Sequence, residues 1–183
     1  MADLNIKCLL PIFILLLGIT IFGQKSVVEL KPAHAAALET YLSKTKNLQF
    51  LSEKVIDAEY LSWIRKDFDK ELKPYYRVAD FNHDKIEDFA MILSRKGEPK
   101  KQNDVTSKEH KYEYPLQIVI FNGNKSKSFT KAFSEDIYAP LVCFLNTVND
   151  KKRTLYFGVF ETDSAMIFTP VGKGYIIEYP DNS

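Results

Sequence analysis

From Pro32 onward the chain changes its hydrophobic period once, from helical to alternating. In PAHAAALETYLSK the residues Ala35, Leu38, Tyr41 and Leu42 recur at three and four positions. With Pro32 suited to a first turn, that spacing predicts an amphipathic helix. His34 falls in its first turn, has no local metal partners, and reads as a surface histidine. A second helix is predicted from about Asp57 to Leu72, where Tyr60, Leu61, Ile64, Phe68 and Leu72 form a stripe with Trp63 beside it. The charges Arg65, Lys66, Asp67, Asp69, Lys70 and Glu71 mix both signs, as on a solvated face, and Pro74 ends the element. Leu48 to Val55 between the helices reads as irregular, with room for one helical turn.

Beyond Pro74 the pattern is that of strands. Tyr75 to Ala79 is one, with one of its two leading tyrosines facing inward and the other outward. Asp88 or Phe89 to Ser94 (FAMILS) is the next, and Tyr114 to Phe121 (YPLQIVIF) is the strongest. A turn at Asn122-Gly123-Asn124 would return the chain along Ser128 to Phe133. Apolar runs in Tyr138–Thr147, Leu155–Glu161, Ala165–Thr169 and Tyr175–Tyr179 complete the series, the last two joined by a turn at Gly172 to Gly174. Lys96 to Lys111 is polar and aperiodic, a long exposed loop containing His110. Helices first and strands afterwards predict an α+β fold with a mostly antiparallel sheet.

Composition narrows the class. The chain has 183 residues, 45% hydrophobic and 27% charged, which suits one globular domain. A net charge of +1 without a basic block excludes a nucleic-acid stripe. Cys8 to Gly23 is uncharged, follows Lys7, and is shorter than the ~20 residues of a spanning helix. It reads as a signal peptide over residues 1–23, leaving a single domain over 24–183 that is exported to a periplasmic or extracellular location. An uncleaved anchor is the competing reading. Cleavage would leave Cys143 alone among apolar neighbours, a buried hydrophobe and not a nucleophile.

The one clear piece of chemistry is the acidic loop between the first two strands, within RVADFNHDKIEDFAMIL. Asp80, Asn82, Asp84 and Asp88 take relative positions one, three, five and nine of a calcium-binding loop, with the Ile86 backbone carbonyl at position seven. Calcium is a hard cation that takes six to eight oxygens, which such residues supply. Position six, where a left-handed glycine is usual, is Lys85. Position four is His83, and position twelve, normally glutamate, is Met91. The alternative is a solvated turn whose Asp80 and Asn82 bond local backbone. Two further acid pairs, Glu161 with Asp163 and Glu135 with Asp136, read as turn chemistry.

The stretch ADFNHDKIEDFAMIL resembles the DFNGDG-type core of FG-GAP/VCBS-like repeat proteins, and is most similar to small exported bacterial proteins carrying a single copy. The resemblance covers roughly Val78 to Leu93, more loosely the preceding Trp-containing helical region and the closing GVFETDSAMIFTPVGKGYIIEY. It implies an ion-binding loop formed by Asp80, Asn82, Asp84, Ile86 and Asp88. A single copy does not imply the propeller of multi-copy relatives. These features lead to the expectation of a non-enzymatic exported domain with a structural calcium loop, acting in binding or envelope interaction. A secreted hydrolase and an inhibitor or immunity-type partner of a secreted enzyme are the alternatives.

Overall fold

A computed structural model describes residues 30–103, 105–148 and 154–180. The apolar Cys8–Gly23 segment and the boundary after residue 23 lie outside them. Helix α1 (Pro32–Lys44) starts on its proline without a side-chain cap. Helix α2 (Ala58–Asp67) is capped by Asp57, whose carboxylate accepts from the Glu59 amide at 2.8 Å. It ends about a turn earlier than its apolar stripe predicts. Asp69 accepts from the Glu71 amide (3.0 Å), a local turn that competes with continued helix. Arg65 Nε then donates to the Leu72 carbonyl, which keeps Leu72 in the core although it is no longer helical.

Among the described residues, ten strands follow the helical pattern or interleave with it: β1 (Leu48–Phe50), β2 (Tyr76–Ala79), β3 (Asp88–Arg95), β4 (Lys100–Lys101), β5 (Tyr112–Gly123), β6 (Phe129–Ala139), β7 (Cys143–Val148), β8 (Thr154–Val159), β9 (Ala165–Val171) and β10 (Gly174–Glu178). Every pairing among the described residues is antiparallel. In the first sheet β3 and β5 are central, with β1 and β2 along β3, and β4 and β6 along β5. The second sheet is the meander β7-β8-β9-β10. The α+β expectation holds among the described residues, which form two α-helices and mostly antiparallel sheets.

The first sheet is buried on both faces, which explains why β3 and β5 are apolar at nearly every position. Ala90, Ile92, Leu116, Ile118 and Ile120 face a core shared with Leu145, Leu155, Phe157 and Phe168 of the second sheet and with Ile64 and Leu72. Phe89, Met91, Leu93, Val119 and Phe121 face the other way, under Leu38, Tyr41 and Leu42 of α1. Alternate side chains of one strand therefore serve two cores. At ~1.5–3 kcal/mol for each large apolar side chain buried, these central strands hold much of the folding free energy. Cys143 is fully buried in the larger core, and burial pushes its thiol up to about 12, so it is a hydrophobe here.

Several expectations are corrected by this double burial. His34 is 1% exposed, because α1 packs its first turn against the sheet. Tyr75 and Tyr76 both bury, on opposite faces, since the outward face is covered. The Asn122–Asn124 turn sits further on: β5 runs through Gly123, and the reversal spans Asn124 to Ser128, with Lys127 at φ 60°. Glu135 and Asp136 lie inside β6, where Asp136 pairs with Arg95 and accepts from Gln117 Nε2 at 2.7 Å. The Lys96–Lys111 stretch pairs with β5 through β4, and His110 is buried at its end. Among the described residues, no helix is long and apolar enough to cross a membrane.

Candidate metal centre and its surroundings

The acidic loop connects β2 to β3, whose first pair is Ala79 with Asp88. It closes on itself through its own carboxylates. Asp80 accepts from the amides of Asp84 (Oδ1, 3.1 Å) and Lys85 (Oδ2, 2.9 Å). Asn82 Oδ1 accepts from the same Asp84 amide at 3.0 Å, and Asp84 Oδ1 accepts from Ile86 at 2.8 Å. Asn82 Nδ2 also donates to Asp84 Oδ2 at 3.2 Å. Such a winding forces left-handed backbone at two non-glycine positions, His83 at φ 63° and Lys85 at φ 70°. These are positions four and six, where the resembled motif carries glycine. Each costs about 1–2 kcal/mol.

Asp88 has a different task. It is fully buried, and its carboxylate accepts from Phe81 (2.9 Å), Asn82 (3.2 Å) and Gly123 (2.9 Å). One side chain thereby ties the acidic loop to the end of β5. Burial raises its carboxyl from the ordinary range to about 6 despite these three donors, with the Asp84 charge adding to the rise. Among the described residues no Lys, Arg or His lies within ion-pair distance of it. Tyr175, whose hydroxyl donates to Asn122 Oδ1 at 2.9 Å, has its phenol held up first by burial and then by the charges of Asp88, Asp80 and Asp84.

The structure thus brings Asp80, Asn82 and Asp84 together and directs Asp88 to backbone amides. Among the described residues, no group of three or more His, Cys, Asp or Glu side chains is arranged to hold a metal ion. The oxygens are nonetheless not exhausted. With two acceptor sites per oxygen, the bonds above leave about two on Asp80, one on Asn82, two on Asp84 and one on Asp88. With the Ile86 carbonyl, that donor set matches the all-oxygen preference of calcium and lies within its usual number of ligands.

Glu87, which sequence reasoning passed over, anchors the loop to α1. It pairs with Lys31 and meets His34 Nε2 at 3.2 Å. His34 Nδ1 lies 2.6 Å from the Tyr76 hydroxyl. A carboxylate only accepts, so Nε2 carries the imidazole proton and Nδ1 accepts from Tyr76. The ring stacks on Phe89 at 4.3 Å and meets the edge of Phe129. Burial lowers the basicity of His34, partly offset by Glu87, and burial pushes the Tyr76 phenol up to about 12, which keeps it a donor. No sequence signal pointed to this network, because its members stand 42 to 56 residues apart.

A cleft of about 740 Å³ opens at the other site sequence reasoning dismissed, where the β8–β9 turn meets β6 and the connection before β5. Glu161 and Asp163 line it, and so does His110. Glu161 has φ 59° in the turn and accepts from the Tyr60 hydroxyl at 3.0 Å. A scan against protein-family models, a search of curated proteins and a search of solved structures each return no significant match to this chain.

Proposed function

We propose that this chain is a non-enzymatic exported binding domain in which the Asp80–Asp88 loop is a structural calcium staple joining β2, β3 and β5. The observation that carries the reading is Asp88. It is an ionisable group at 0% exposure, bonded to three backbone amides of two segments, with no cationic side chain paired to it among the described residues. A buried carboxylate of that kind is costly when ionised at neutral pH. A cation held by Asp80, Asn82, Asp84, the Ile86 carbonyl and Asp88 would offset the cost and the strain at His83 and Lys85. The oxygens left over after the loop's own hydrogen bonds support the same ligand set.

The role would be stability. At a Kd of ~0.1 mM and ~1 mM calcium, linkage adds ~1.4 kcal/mol to the folded state. A calcium-dependent melting temperature reversed by EDTA tests the reading, and no change at 5 mM calcium would sink it. The hydrolase alternative draws on the cleft, but a general base works within hydrogen-bond reach of the group it activates. His110 lines the cleft, and no nucleophile among the described residues lies within hydrogen-bond reach of its buried Nε2.

A further inference from the structure

One side chain of the acidic loop fastens helix α1 to it. The helix starts at Lys31 and Pro32 with no side-chain cap and no acidic residue in its first turn, so it supplies nothing of its own to the positive end of its dipole. Glu87 brings that negative charge from outside. Its carboxylate pairs with Lys31 and meets Nε2 of the buried His34 at 3.2 Å. His34 in turn accepts from the Tyr76 hydroxyl at 2.6 Å and stacks on Phe89. If Glu87 moved away, the imidazole proton would stay buried without an acceptor, a costly arrangement.

The loop sets the backbone of Glu87. The residue lies between Ile86, whose carbonyl belongs to the proposed ligand set, and Asp88, whose carboxylate is clamped by the amides of Phe81, Asn82 and Gly123. The end of β5 closes the space beside it, because a Cβ on Gly123 would come within 2.2 Å of the Glu87 carbonyl oxygen. An ion held by the loop would restrain the residues on both sides of Glu87, and with them the reach of its carboxylate. What α1 covers is the apolar outer face of the first sheet, formed by Phe89, Met91, Leu93, Val119 and Phe121.

We propose that α1 is a calcium-latched cover: occupancy of the loop tightens its docking through Glu87, and loss of the ion loosens it and bares that apolar face. Glu87 acts here as a positioning residue and not as a ligand. Such coupling is reciprocal, so docked α1 also raises the affinity of the loop for calcium. The inference rests on the calcium reading of the loop and adds the regulation of that site.

Amide hydrogen exchange of the full chain, in EDTA and in 1 mM calcium, tests it. The amides of residues 38–44 should exchange several-fold more slowly with calcium, up to the ~10-fold that 1 mM gives at a Kd of ~0.1 mM. Glu87→Gln keeps the shape of the side chain and removes its charge, with folding checked by circular dichroism. In that variant the calcium response of residues 38–44 should fall below ~2-fold, at a calcium concentration raised until its melting shift equals that of wild type. The amides of β8 should respond to calcium in both proteins, because they open only with the whole fold. By titration calorimetry the variant should bind calcium several-fold more weakly. Equal slowing of residues 38–44 in the two proteins, no slowing in wild type although its melting temperature rises, or unchanged calcium affinity in the variant would each overturn the latch and leave the calcium loop standing. No melting shift in wild type would overturn both.

Discussion

Gly123→Ala is the sharpest perturbation of the joint between the acidic loop and the sheet. A Cβ built on Gly123 would stand 2.2 Å from the Glu87 carbonyl oxygen, 3.1 Å from Ile86 Cγ2 and 3.2 Å from the Phe129 ring. The nearest of these is backbone, so no side-chain rotation relieves it. Either the loop or the end of β5 must move, and movement stretches the 2.9 Å bond from the Gly123 amide to Asp88. Overpacking costs ~1–3 kcal/mol, and weakening a hydrogen bond to a charged acceptor costs ~1.5–3 kcal/mol. The smaller unfolded-state entropy of alanine returns ~0.4–1 kcal/mol. The net loss expected spans about 1.5–5.5 kcal/mol, centred on ~3.5 kcal/mol. With a urea m value of ~2 kcal/mol/M, that central value lowers the unfolding midpoint by about 1.5–2 M. Gly174→Ala is the control, because its Cβ would lie 3.7 Å from the Ala132 carbonyl, an ordinary contact. It should stay within ~0.5 kcal/mol of the parent. Equal midpoints for the two variants would refute the close approach of β5 to the loop.

Acidification separates Asp88 from the rest. Its folded carboxyl sits at about 6 against an ordinary 3.8, so the native state holds the extra proton between those values. Its contribution is therefore fullest below about 3.8 and is lost as pH rises through about 6. In EDTA, wild type should gain about 2 kcal/mol relative to Asp88→Asn between pH 7.5 and pH 4. A difference independent of pH would remove Asp88 from the account. His34, whose basicity is lowered by burial, acts in the opposite sense, with stability lost as pH falls below its ordinary range, but it is common to both proteins and cancels. Tyr76→Phe leaves Nδ1 of His34 without its 2.6 Å donor and should cost about 1–3 kcal/mol in thermal or urea unfolding. A change below ~0.5 kcal/mol would mean the network does not anchor α1.

The central strands were legible because FAMILS and PLQIVIF are apolar and β-prone whatever face they present. Their continuity hid which face is which, so a covered outer face, and with it the burial of Tyr76 and His34, was not visible. Those side chains are buried by partners more than 40 residues away, and only the tertiary packing of α1 decides them. Strand β1 has three residues and β4 is two lysines, lengths and compositions that neighbouring strands impose and propensity does not. At the acidic loop, the spacing of Asp80, Asn82 and Asp84 foretold their convergence. The left-handed backbone at Lys85 followed from position alone, and the structure adds a second left-handed residue at His83. What spacing missed was the division of labour: Asp88 buries itself as an amide clamp, and Gly123, far along the chain, completes it. Of the acids lining the cleft, Glu161 and Asp163 stand together in the β8–β9 turn and read as turn chemistry, whereas Glu113 comes from β5 and nothing local links it to them.

The central claim is that the Asp80–Asp88 loop is a calcium staple, and thermal unfolding at pH 7.5 with and without calcium tests it most directly. Relative to EDTA, 1 mM calcium should raise Tm by about 3–6 °C if Kd is ~0.1 mM, and EDTA should reverse the shift. The shift should vanish in Asp80→Ala/Asp84→Ala. An unchanged Tm at 5 mM calcium, or an equal shift in that double variant, would contradict the claim and leave the loop as a self-bonded turn.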